Sequence, residues 1–232
     1  MPAPARTLPW ILLALEKYYG RPPEPISTDP FALILWEQVA YLAREPTRRA
    51  AFERLRQEVG LSPASIRRAP VATLRRIARL GGAIAAPLRA ERMRRSAELV
   101  KTQWNDELRE ALSLPLAKAR QALTAFPMIG PPAADRILAI TGAHPVLALD
   151  SNALRVLLRL GWGTALRNYA ATYRSAQEAI GPHIPTRASD LSIAADLLRQ
   201  HGSTLCRRAT PRCNACPLAP CCSYQLAAHS IG

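Results

Sequence analysis

No stretch of this chain alternates apolar and polar residues with the period of two that a half-buried strand needs. Helix punctuation, by contrast, recurs along its whole length. Asp29-Pro30 pairs an N-cap with a first-turn proline and opens a helix from Phe31 to Ala43. Thr47 is placed to cap a helix ending at Gly60, and Ser62-Pro63 and Pro70 open two short helices, the second stopping at Gly81-Gly82. A longer helix is expected from Pro87 to about Gln103, another from near Leu114, and later ones over 164–180 and 189–201, the last closed by Gly202. Helices without strands can bury their apolar faces only against one another, so the expected fold class is all-α. With 232 residues the chain can form one large or two small domains.

Two helix starts stand close together between Phe126 and Val156. The first follows Phe126-Pro127-Met128-Ile129-Gly130, a tight turn, with Pro131 at the first helical position, where its missing N–H would have no partner anyway. Ile137, Leu138 and Ile140 give that helix an apolar face, and Gly142 ends it. The second starts at Asp150, an N-cap ahead of Leu154, Leu157 and Leu158.

The charge balance points outward. A net charge of +14 implies a polyanionic partner, most simply nucleic acid, although lysine occurs only at positions 17, 101 and 118, so a preference for arginine also contributes. Arginines bunch at Arg67-Arg68, at Arg75, Arg76 and Arg79, and at Arg89, Arg92, Arg94 and Arg95. Each bunch reads either as a solvated helix face or as phosphate contacts along a groove. The run Leu8–Leu15 is far shorter than the roughly 20 residues that cross a bilayer, and Glu16-Lys17-Tyr18-Tyr19 follows where a leader would need small residues. It is read as an amphipathic helix, with no membrane partner and a reducing cytoplasm as the expected location.

The helix from Phe31 is apolar almost all round and should be buried, yet it contains Glu37 and Gln38. Either the helix rolls to expose both, or an arginine pairs with Glu37, or the two face a binding pocket.

Cys206, Cys213, Cys216 and Cys222 follow the spacing C-x6-C-x2-C-x5-C, with Arg207, Arg208 and Arg212 among them. In a reducing compartment four thiols so spaced imply a metal, either Zn2+ or an iron–sulfur cluster. Cys221, the fifth cysteine, adjoins the last of them.

The hairpin, the Leu149-Asp150-Ser151-Asn152-x-x-Arg155-Val156 segment, the cysteine spacing and the His201-Gly202 pair before it together resemble the helix-hairpin-helix DNA glycosylases of the endonuclease III family, the second segment being closest to the adenine glycosylase branch. The resemblance runs from about Ile11 to Tyr224. It implies a two-lobed fold, with a helical barrel over 30–143 and a cluster domain formed by 1–29 and 144–232. It further implies a monomer acting on double-stranded DNA, a [4Fe–4S] cluster on Cys206, Cys213, Cys216 and Cys222, Asp150 as the catalytic carboxylate, and DNA contacts from Met128, Ile129, Gly130, Arg207, Arg208 and Arg212. It leaves no residues for the C-terminal domain that adenine glycosylases carry. The loop from Gly81 to Leu88 would hold the apolar wedge, as Ile84 or Leu88.

Three departures matter. Met128 stands where the family hairpin has its first glycine; Ala40-Tyr41-Leu42 replaces the segment that supplies a gap-filling glutamine; and Pro132 occupies the position of the lysine that gives bifunctional members their lyase step. The expected activity is therefore base removal without strand cleavage, with a DNA-binding protein of little or no activity as the alternative. Pro2, were Met1 removed, is the remaining amine nucleophile to consider.

Overall fold

The computed structural model describes residues 7–184 and 188–229, and every described element is helical. Pro2 lies outside the described residues. The chain divides into two compact units, one of Pro25–His144 and one joining Met1–Glu24 to Pro145–Gly232. No helix among the described residues is long and apolar enough to cross a membrane.

The continuous unit begins with α2 (Pro30–Val39), preceded in the chain by α1 (Leu8–Tyr19) of the other unit. Asp29 caps α2 as expected, its carboxylate accepting from Ala32 N at 2.8 Å. The helix stops at Val39, four residues before the predicted end. Ala40 is extended and Leu42 adopts φ 51°, because the Arg89 guanidinium takes the carbonyl of Val39 that a further turn would have used. Next come α3 (Glu45–Glu58), α4 (Pro63–Arg68), α5 (Val71–Leu80) and α6 (Ala86–Trp104). Thr47 does not cap α3: Arg44 holds that position with no side-chain bond, and the proline in the first turn sets the start. Helix α6 runs against α2, α4 and α5, and Phe31, Ile34, Leu35, Phe52, Leu55, Ile66, Leu74, Ile77, Met93 and Val100 fill the space between them. Burying each such side chain contributes roughly 1.5–3 kcal/mol. The unit ends with α7 (Arg109–Leu112), α8 (Leu116–Thr124) and α9 (Pro131–Ile140).

The other unit contains α1, α10 (Ser151–Leu160), α11 (Tyr169–Ile180), α12 (Ala188–Thr204), the cysteine loop and α13 (Ser223–His229). Helix α11 starts five residues later than predicted, since Ser175 and Thr172 accept the backbone N–H groups of Thr164 and Leu166 and hold that stretch as a loop. Helix α12 does not end at Gly202 but passes through it. A Cβ at Gly202 would stand 2.6 Å from the Asn152 carbonyl, so this glycine serves close approach to α10 rather than termination.

Candidate functional site

The hairpin is a turn under strain. Met128 takes φ 68°, the left-handed conformation that a glycine adopts freely. Ile129 N donates to Phe126 O at 3.1 Å and its side chain is buried, so of the three predicted hairpin contacts Ile129 is spent inside the turn. The backbone N–H groups of Met128 and Gly130 donate to no group among the described residues. Pro131 and Pro132 contribute none. Beneath the turn, Arg120 forks onto the fully buried Asp135 at 2.6 and 3.1 Å and ties α8 to α9.

Gln38 is fully buried and donates to Ser96 Oγ and to Pro127 O, both at 2.8 Å, bracing the hairpin from α2. Its Oε1 has no partner among the described residues. Glu37 pairs with Arg48 at 3.6 Å, and Arg48 lies over Trp36, so an arginine does take this carboxylate. The arginine bunches divide. Arg89 is fully buried, Arg67 is held by Ala97 O and Asp106, and Arg76 pairs with Glu58, which removes these three from any groove. Arg68, Arg75, Arg79 and Arg95 remain on the surface.

In the other unit Asp150 caps α10. Its Oδ1 accepts from Asn152 N at 2.9 Å and Ala153 N at 2.8 Å, while Oδ2 has no partner among the described residues. The extended chain that delivers Asp150 is held from one stripe of α11. Tyr169 Oη donates to Leu149 O at 3.2 Å, and Gln177 Nε2 donates to Leu147 O at 2.5 Å and Tyr173 Oη at 3.1 Å. Burial, and secondarily the charge of Asp150, push the Tyr169 hydroxyl above its ordinary pKa. Sequence reading missed Tyr169 and Gln177. Their eight-residue spacing along one helix face was available, but nothing in the sequence says which carbonyls lie opposite.

The second turn of α10 reaches the cysteine loop. Arg155 donates to Cys206 O at 2.9 Å, Gly202 O at 2.7 Å and Asn152 Oδ1 at 2.8 Å. Arg159 donates to Cys206 Sγ at 3.3 Å and Arg207 O at 2.7 Å, and lies over the Tyr224 ring. Cys206, Cys213, Cys216 and Cys222 line one pocket, whereas Cys221 is buried with its thiol on Leu218 O. Among the described residues no three His, Cys, Asp or Glu side chains are grouped to share a single metal ion. Burial, with the neighbouring cysteines adding to it, pushes the Cys216 thiol up to about 11 and raises Cys213. His201, buried and held near pKa 4 by that burial, lies between Tyr19 Oη at 3.0 Å and Cys216 Sγ at 3.5 Å. Arg207, Arg208 and Arg212 are exposed on the loop and enter no ion pair among the described residues.

No protein-family model matches the chain. In sequence it is similar to the adenine DNA glycosylase of Mycobacterium tuberculosis, 27% identical over 147 residues, a match that covers 62% of this chain but only 44% of that protein. It is also similar to the endonuclease III of Sulfolobus acidocaldarius, 27% identical over 202 residues, covering 84% of this chain and 82% of the relative. Among solved structures, an endonuclease III–DNA covalent intermediate superposes with a TM-score of 0.72 at 19% identity, over 97% of this chain and all of that one. A thermostable thymine-DNA glycosylase superposes with a TM-score of 0.74 at 16% identity, over 95% and 97%. The fold is that of the helix-hairpin-helix DNA glycosylases, and the chain fits the endonuclease III-like superfamily.

Proposed function

We propose that this superfamily member removes a base from duplex DNA by hydrolysis and leaves the strand uncut. The observation that carries the reading is Asp150, which caps α10 through one oxygen and leaves the other without a partner among the described residues. Breaking an N-glycosidic bond builds positive charge on the sugar, which a carboxylate fixed at a helix N-terminus stabilises. The free oxygen accepts a proton from the water whose oxygen bonds to the anomeric carbon as the carbon–nitrogen bond breaks; the base leaves with the bonding electrons and takes a proton from solvent, to which Asp150 returns its own. A lyase step needs an amine at the sugar, and the position that supplies it in bifunctional relatives is Pro132 here. Lys101 is engaged by Asn105 and Asp106, and Lys17 and Lys118 lie on the exposed faces of α1 and α8. Borohydride is therefore expected to trap no adduct on abasic duplexes.

We further infer that Cys206, Cys213, Cys216 and Cys222 hold a [4Fe–4S] cluster. Four thiolates lining one pocket repel one another, a penalty that a cationic metal centre would offset, and their C-x6-C-x2-C-x5-C spacing resembles the cluster loop of the endonuclease III family. A cluster held by these four cysteines would cross-link a loop too short to fold alone, on which Arg207, Arg208 and Arg212 are exposed for phosphates. Protein purified without oxygen should contain about four irons per chain and absorb broadly in the visible; stoichiometric zinc in colourless protein overturns this assignment. A DNA-binding protein without activity is the second reading, favoured by the strained Met128 and by the two prolines that deplete the hairpin of donors. Duplexes each carrying one lesion, scored for base release before alkali, separate the two: release supports the enzyme, and salt-sensitive binding without release supports the binder.

A further inference from the structure

Phe126, Pro127, Met128 and Ile129 form a four-residue turn, closed by the Ile129 N–H on the Phe126 carbonyl at 3.1 Å. Proline fixes a negative φ at the first central position, and Met128, at the second, stands at φ 68°. That combination is a type II turn, whose second central position suits glycine. A type I turn keeps the same closing hydrogen bond, places Met128 at negative φ and accepts most side chains there. The two differ by a half-rotation of one peptide, Pro127–Met128. Met128 therefore occupies the turn that its own side chain disfavours, and contacts from outside the turn must hold it there.

Gln38 supplies such a contact. It is fully buried in a stretch of α2 that is otherwise almost wholly apolar, and its Nε2 donates to Pro127 O and to Ser96 Oγ, both at 2.8 Å. Its Oε1 has no partner among the described residues. A buried amide with an unpaired oxygen costs stability relative to an apolar side chain of the same size, so core packing gives no reason for it. Rotating the Pro127–Met128 peptide would take the Pro127 carbonyl off Gln38. The peptide is trans, so its N–H points opposite to its C=O. With the carbonyl turned toward Gln38, the Met128 N–H is turned away from α2, and it donates to no group among the described residues. The type I turn would reverse this and present a carbonyl oxygen, an acceptor that a phosphate cannot bond.

We propose that Gln38 is a positioning residue for DNA binding: from α2 it holds the Pro127–Met128 peptide in the orientation that offers the Met128 N–H to a phosphate, the orientation a glycine would adopt unaided. The proposal rests on the DNA-binding reading above. Gln38 itself acts only from within the core, through Pro127.

The test is affinity for an undamaged duplex across a salt series. Gln38→Met is the first variant, because methionine matches glutamine in length and cannot hold the carbonyl. Its turn should relax to type I, which NMR registers as a weakened Overhauser effect between Pro127 Hα and the Met128 amide proton. Affinity at low salt should fall about tenfold, since one backbone donor to phosphate is exchanged for an acceptor. The slope of affinity against salt should stay that of the wild type, because no cationic side chain is lost. Adding Met128→Gly to Gln38→Met should restore affinity to within about twofold, as glycine returns the turn to type II without help. Ser96→Ala, which removes the second anchor of the amide, should give a smaller loss that Met128→Gly also repairs, and it carries the test should Gln38→Met fail to fold. Wild-type affinity in a folded Gln38→Met, or in Ser96→Ala where that variant does not fold, overturns the proposal and leaves DNA binding intact. So does an unchanged turn, a flattened salt slope, or a loss that Met128→Gly does not repair; the last would make Gln38 a support of the fold alone. Failure of the wild type to bind plain duplex at low salt overturns the DNA-binding reading and the proposal together.

Discussion

Helices α9 and α10 begin on nearly the same backbone, with the N-cap residue at φ −88° and ψ 176° in one and φ −71° and ψ 176° in the other. Their chemistry is opposite. Gly130 offers α9 no side-chain acceptor and two prolines follow, so the donors that remain there are open to an outside anion. Asp150 supplies α10 with its own anion, fills two donors with one oxygen, and turns the helix start into a site for stabilising positive charge. On the proposed function, the residue at the N-cap would decide whether a helix start receives a phosphate or serves a cationic sugar.

The sharpest way to break this contrast is Asp150→Asn. It keeps a capping oxygen and removes the charge, so base release should fall by at least about 100-fold while folding changes by under about 1 kcal/mol. Unchanged release would move the chemistry to another residue. Gly202→Ala should disturb α10 from behind, since the added methyl meets the Asn152 backbone; chemical denaturation should show a loss of roughly 2–3 kcal/mol. At α9, Met128→Gly should stabilise the protein by about 1 kcal/mol by relieving the left-handed strain, which a thermal melt will register with the opposite sign to Gly202→Ala. Pro132→Ala restores one N–H to the first turn and should tighten duplex binding by a few-fold at most, about 0.5–1 kcal/mol. No change would mean that phosphate does not reach that turn.

A control away from both helix starts is Asp106, whose carboxyl Arg67 holds below its ordinary range, by hydrogen bonding first and charge second. A depressed carboxyl adds stability above its unfolded pKa, near 4, that is lost as pH falls through the folded value. Asp106→Asn should flatten that acid limb by under about 1 kcal/mol, because the pair is partly exposed.

Much of the site was legible locally. The capping role of Asp150, the first-turn prolines and the spacing of the cysteines are properties of a few neighbouring residues, and each follows from short-range stereochemistry. Met128 stands where the resembled hairpin has a glycine, and the structure puts it at φ 68°. Arg89, read with its neighbouring arginines as part of a solvated helix face or a groove lining, is instead fully buried. The register of α6 held the correction, since Arg89 shares the buried stripe of Met93, Ser96 and Val100.

By itself, then, the sequence determined the helical class and the starts of α2, α4, α9 and α10, because capping, proline stereochemistry and 3.6-residue periodicity act over one or two turns. Tertiary structure alone decided that α2 stops at Val39, that α12 continues through Gly202, and that Tyr169 and Gln177 brace the approach to Asp150. Each depends on which distant carbonyl or helix lies opposite: the Val39 carbonyl meets a guanidinium 50 residues away in the chain, and Gly202 meets the first turn of α10. Such pairings are set by how helices pack, and helix packing is a property of the assembled core rather than of any segment within it.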